Sequence, residues 1–139
     1  MREILFRGQT RRKGQKVWMD GSPVESNWVE GYGVCMGKGD FSVIYAGDHV
    51  EKFTVYTDTV GQFTGLTDKN GKKIFEGDIV KAYFRNNHSK QIFRAVFGDG
   101  MFLFDNNCVK VPKYDIYEME VIGNIHDNPE LLGGADNGC

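Results

Sequence analysis

The run Thr64-Gly65-Leu66-Thr67-Asp68-Lys69-Asn70-Gly71-Lys72-Lys73-Ile74-Phe75 decides the fold class. Asn-Gly supplies the two positive-φ positions of a type I′ turn, so residues 64–67 and 72–75 are predicted to pair as a hairpin. Glu76-Gly77-Asp78 follows at once and leads into the apolar segment Ile79-Val80-Lys81-Ala82-Tyr83-Phe84. A Gly-Asp entry of this kind suits a chain turning the corner of a small barrel.

The same period-two signal recurs outward from this centre, with turn residues between the segments. Upstream lie Lys16-Val17-Trp18-Met19, Asn27-Trp28-Val29-Glu30, Phe41-Ser42-Val43-Ile44-Tyr45 and Phe53-Thr54-Val55-Tyr56. Downstream, Ile92-Phe93-Arg94-Ala95-Val96-Phe97 turns through Gly98-Asp99-Gly100 into Met101-Phe102-Leu103-Phe104. Plain alternation then places Tyr117, Met119 and Val121 on one face of a strand, with Glu118 and Glu120 on the other. Helix signals are confined to Asp127-Asn128-Pro129-Glu130-Leu131-Leu132, where Asn128 suits an N-cap and Pro129 the first helical position. The expectation is an all-β chain, small barrel-like or mixed β, of many short strands with a short C-terminal helical turn. Residues 1–132 form one β-rich domain, or two subdomains at 1–58 and 59–132, and residues 133–139 form a flexible tail.

Composition agrees. The 139 residues include 18 glycines, against roughly 10 at typical usage, and 18 aromatic residues (Phe 10, Tyr 6, Trp 2). The net charge of -2 excludes a surface built as a whole for polyanions. Its distribution is uneven. Residues 1–16 carry six bases against Glu3, and residues 114–139 carry six acids and no base. Such ends can pair within a subunit or across a contact. No apolar run approaches the ~20 residues of a membrane span. A soluble cytoplasmic protein without membrane contact is expected. Cys35, Cys108 and Cys139 are odd in number and widely spaced, which reads as two packed thiols and a tail thiol in a reducing compartment.

Near-motifs fail on their own chemistry. Gly31-Tyr32-Gly33-Val34-Cys35-Met36 has Met36 where a dinucleotide fingerprint needs its third glycine. Asp68-Lys69-Asn70-Gly71 opens like a calcium loop, but Lys72, Lys73 and Ile79 occupy positions that demand an oxygen ligand, a glycine and a glutamate. Glu76, Asp78, Asp99 and Asp105 read as turn and strand-edge residues. His49, His88 and His126 have no partner at helical spacing. No catalytic, metal or cofactor residue is assigned. The basic segment Arg7, Arg11, Arg12 and Lys13, near Trp18 and Trp28, is the candidate for phosphate contact with stacking rings. Lys81, Arg85, Lys90 and Arg94 could extend it.

Two long segments carry a resemblance. Thr59-Val60-Gly61-Gln62-Phe63-Thr64-Gly65-Leu66-Thr67-Asp68-Lys69-Asn70-Gly71-Lys72-Lys73-Ile74-Phe75-Glu76-Gly77-Asp78-Ile79-Val80 resembles the central signature of the YopX family. Glu120-Val121-Ile122-Gly123-Asn124-Ile125-His126-Asp127-Asn128-Pro129-Glu130-Leu131-Leu132 resembles its closing motif, and Met1-Arg2-Glu3-Ile4-Leu5-Phe6-Arg7-Gly8 its usual start. The resemblance implies a β-rich fold and an origin in bacteriophages and prophages of mainly Gram-positive bacteria. It brings no defined biochemical role and no catalytic residues. The resulting expectation is a non-enzymatic phage or prophage accessory protein without cofactor, acting by protein–protein binding or self-assembly. Its partner is another copy, as a homo-oligomer, or a phage or host protein. The alternative is a small-barrel nucleic-acid binder using Arg7, Arg11, Arg12 and Lys13.

Overall fold

A computed structural model describes residues 3–10, 15–19, 22–47 and 51–133. The chain divides into two compact units, residues 1–63 and 64–139. Both are β throughout, and the one α-helix among the described residues is the single turn α1 (Glu130–Gly133). No described helix is long and apolar enough to cross a membrane.

The first unit holds β1 (Phe6–Gln9), β2 (Gln15–Met19), β3 (Ser22–Ser26), β4 (Trp28–Gly31), β5 (Gly33–Cys35), β6 (Phe41–Ala46) and β7 (Glu51–Tyr56). Strand β1 pairs antiparallel with β4, the β2–β3 hairpin stands as its own ladder, and β5, β6 and β7 form a meander. Val29, Ile44, Ala46, Phe53 and Val55 bury together, with Phe6, Val34 and Val60 packed against them. The glycine-broken stretch that imitates a dinucleotide fingerprint is a strand crossing. Gly31 closes β4 against the Tyr45 backbone and the Ile44 side chain, and the Tyr32 N–H donates to the Tyr45 carbonyl at 3.0 Å.

Strand β8 (Gly61–Thr67) carries the chain from the first unit into the second. The second unit adds β9 (Lys73–Phe75), β10 (Asp78–Phe84), β11 (Lys90–Gly98), β12 (Met101–Asp105), β13 (Lys110–Val111) and β14 (Ile116–Asn124). Five of these form an open sheet in the order β13-β12-β11-β10-β14, so the architecture is mixed β and this ladder does not close into a barrel. One face buries Val80, Ala82, Phe93, Ala95, Phe104 and Ile116, together with Ile74 of β9.

The β8–β9 hairpin sits where the sequence predicts it, but its turn is of another kind. Of the turn residues only Gly71 has positive φ, +82°. The Gly71 N–H donates to the Asp68 carbonyl at 3.0 Å and the Asp68 N–H to the Lys72 carbonyl at 2.8 Å. That is a type I turn closed by a glycine bulge. The Asp68 carboxylate selects it, because its Oδ1 accepts N–H bonds from Asn70 and Lys72, both at 2.9 Å. The type I′ geometry occurs instead at Asp99-Gly100, with φ of 52° and 78°, between the paired residues Gly98 and Met101. A Cβ on Gly71 meets open space, so Gly71→Val strains only the backbone. It should cost about 1–3 kcal/mol, and Gly71→Asn clearly less, in chemical denaturation.

One expectation is corrected. Strand β14 does not alternate plainly. Its register against β10 runs Lys81↔Glu120 and then Tyr83↔Tyr117, which inserts one extra residue beside Glu118, whose φ is +53°. A bulge of this kind shifts everything beyond it to the other face. Tyr117 therefore joins Glu120, while Met119 and Val121 pack against the core. Cys35, at the exposed end of β5, is free. Cys139 and the tail lie outside the described residues.

Candidate binding surfaces

The bulge in β14 builds the first surface. With Tyr117 turned to the outer face, its ring stacks on Tyr83 across the strand pair, centroids 5.6 Å apart. The loop that follows β10 closes with Phe84 N–H to Ser89 O at 3.0 Å and His88 N–H to Phe84 O at 2.8 Å. His88 takes the left-handed position of that loop, φ +58°, and its Nδ1 lies 2.8 Å from the Tyr117 hydroxyl. Arg85 is held by its own backbone, whose N–H donates to the Asp115 carbonyl at 2.9 Å. Its Nε–H donates to the Tyr114 carbonyl at 2.9 Å, and its guanidinium stands 5.7 Å from the Tyr117 ring centre. Tyr114 is 70% exposed, with the Lys113 ammonium 5.2 Å from its ring centre. Arg85 and Tyr114 line two clefts. One, of about 580 Å³, reaches Phe84, Val109 and Val111; the other, of about 550 Å³, reaches Lys69, Lys113 and Glu118.

Asp68 anchors the Lys69 side of that second cleft. Its Oδ2 accepts the Val121 N–H at 2.9 Å, and the Lys69 N–H donates to the Met119 carbonyl at 2.8 Å. The hairpin tip thus caps part of the free edge of β14 in the way a neighbouring strand would. Burial pushes the Asp68 carboxyl upward, but the backbone donors of Val121, Lys72 and Asn70 and the Lys72 charge outweigh it, leaving it below 3.8. Nearby, Lys81 and Glu120 form an ion pair at 3.1 Å. Their mutual hydrogen bond raises the lysine and lowers the glutamate.

The second surface is the end of the β11–β12 hairpin. Phe97 is 57% exposed and Met101 42% exposed. Phe97 rests edge-on against Phe102, ring centres 5.1 Å apart.

The basic residues singled out from the sequence fare differently. Arg7 lies in β1 opposite Glu30, with its guanidinium 4.9 Å from the Trp28 ring centre, a cation–π contact within the sheet. Arg11, Arg12 and Lys13 lie outside the described residues. Lys81 is taken by Glu120 and Arg94 by Asp105, at 3.0 Å. The acidic near-cluster is likewise dispersed. Asp78 accepts the Phe75 N–H at 2.8 Å, Asp105 accepts the Asn107 N–H at 2.9 Å, and Asp99 forms the type I′ turn. Sequence reading passed over Tyr83, Tyr114 and Tyr117 as a group. Only the cross-strand register, bulge included, brings Tyr83 and Tyr117 together.

The family model described as YopX protein matches residues 24–133. The SPbeta prophage-derived uncharacterized protein YopX of Bacillus subtilis (strain 168) is 30% identical over 99 residues, covering 58% of this chain and 73% of that protein. Among solved structures, protein EF1440 from Enterococcus faecalis aligns over 93% of this chain and 97% of its own, with 26% identity and a TM-score of 0.47. Protein yopX from Bacillus subtilis aligns over 95% and 97%, with 17% identity and a TM-score of 0.47.

Proposed function

The chain belongs to the YopX protein family, and from that premise we propose a non-enzymatic accessory protein of a phage or prophage that acts by binding. The prophage origin given in the name of the Bacillus subtilis relative supports the first half. The apolar end of the β11–β12 hairpin, with Phe97 57% exposed, is the observation that supports the second. A partner that covers the hairpin end, with Phe97 and Phe102 on one face and Met101 on the other, gains about 25 cal/mol for each Å² of apolar surface withdrawn from water, before the costs of association. The first partner expected is another copy of the chain, in a closed symmetric assembly. Light scattering at micromolar concentration should then give a multiple of 15.7 kDa. A mass of one chain would remove self-assembly and leave a phage or host protein as the partner.

A further inference from the structure

We propose that the cleft between Lys69 and Tyr114 binds single-stranded nucleic acid, with its backbone phosphates at Lys69, Arg85 and Lys113 and one unpaired base stacked on Tyr114. This site is separate from the apolar hairpin end and does not depend on self-assembly.

Three features combine in the cleft. The first is charge. Lys69, Arg85 and Lys113 face it together, and the acids on the same lining are Asp68 and Glu118. Asp68 turns its carboxylate to the backbone N–H groups of Asn70, Lys72 and Val121, away from any ligand. The neighbouring Glu120 is paired with Lys81 and also interacts with the Lys69 charge. The lining therefore carries three cations against two carboxylates, on a chain whose net charge is -2.

The second feature is an available ring. Tyr114 is 70% exposed, and the Lys113 ammonium stands over its ring 5.2 Å from the centre, so a base would stack on the ring's other face with its phosphate near that cation. Tyr117 is not a second platform. Tyr83, His88 and Arg85 surround its ring, so it buttresses Arg85 and does not receive a base.

The third is fixed geometry at cleft size. The Arg85 guanidinium is aimed by the Tyr114 carbonyl, and the Lys69 backbone is tied to Met119. About 550 Å³ falls within the range of small-ligand sites, ~300–1,000 Å³. That holds a nucleotide or two and not a duplex, whose bases offer no free face for stacking. An acidic peptide would satisfy the cations but leave the Tyr114 ring without a planar partner.

The test is fluorescence anisotropy of a fluorescein-labelled oligothymidylate with the full-length protein. Binding is expected at low ionic strength. The log–log salt slope should be near -2, from three phosphate contacts at about 0.7 each. Tyr114→Ala should weaken binding about tenfold with the slope unchanged. The double variant Lys69→Ala, Lys113→Ala should flatten the slope to about one contact. All of these side chains are exposed, so melting temperatures should match the parent, and a variant that does not match is replaced by Tyr114→Leu or by Lys→Gln at both positions. Four results would overturn the proposal: no anisotropy change at any accessible protein concentration, indifference to Tyr114→Ala, equal binding of the matching duplex, or a labelled polyglutamate bound with the same dependence on Tyr114.

Discussion

Replacing Asp68 with alanine will destabilise the protein by about 3–4 kcal/mol, measured by urea denaturation near neutral pH. The side chain is 7% exposed and accepts three backbone N–H bonds, from Asn70, Lys72 and Val121. Each bond to an ionised acceptor contributes roughly 1.5–3 kcal/mol in mutational series, and donors left behind in a buried setting lose their desolvation as well. Partial access of water to the turn keeps the sum below the simple total. Asp68→Asn should cost less, about 1–3 kcal/mol, because one amide oxygen can still serve two donors while its NH₂ opposes the third. Acid should mimic the mutation. A carboxyl held below its unfolded value of 3.8 contributes stability that is complete above that pH and is lost as pH falls through the lower, folded value. The stability of the parent should therefore drop below about pH 4 more steeply than that of Asp68→Ala, and the two curves should converge.

Gly31→Ala should cost about 3 kcal/mol or more. A Cβ there collides with the Tyr45 backbone oxygen and stands 2.6 Å from the Ile44 side chain. The obstacle is backbone in a strand that pairs on both edges, β6 between β5 and β7, so it cannot swing aside as a flexible side chain would. Relief would stretch the Tyr32–Tyr45 hydrogen bond. Gly33→Ala is the control. Its nearest neighbour would be the Tyr45 side chain at 3.8 Å, ordinary contact, and its effect should stay within about 0.5 kcal/mol. Equal effects at the two positions would mean that β4 and β6 do not approach as described.

These two residues show how far the sequence could be read. Period-two patterning located the strands, because in-out alternation is a local property of the chain. The hairpin at 64–75 was legible for the same reason. Its turn type was not, since Asp68 bonds to Asn70 and Lys72 and reaches Val121, 53 positions away. Asn-Gly alone argues for type I′, and the carboxylate overrides it. The bulge beside Glu118 leaves no mark on hydrophobic periodicity, so alternation grouped Tyr117 with Met119 and Val121. That single inserted residue moved Tyr117 to the face of Tyr83. Arg7 shows the same limit: the sequence places it in a basic segment near tryptophans, and only the strand pairing sets its guanidinium over Trp28 in the adjacent strand. The apolar hairpin end was foreshadowed only as a surplus of aromatic residues, because exposure depends on what the rest of the fold leaves uncovered.

The most direct measurement of the binding account is the solution mass of the double variant Phe97→Ser, Met101→Ser beside the parent, by light scattering at matched concentrations. Neither side chain belongs to the buried core, so the folded chain should persist with an unchanged circular dichroism spectrum. The expected result is a parent that runs as a multiple of 15.7 kDa and a variant that runs as one chain. A variant that retains the parent's assembled mass would contradict the assignment of the β11–β12 hairpin end as the surface through which the protein binds.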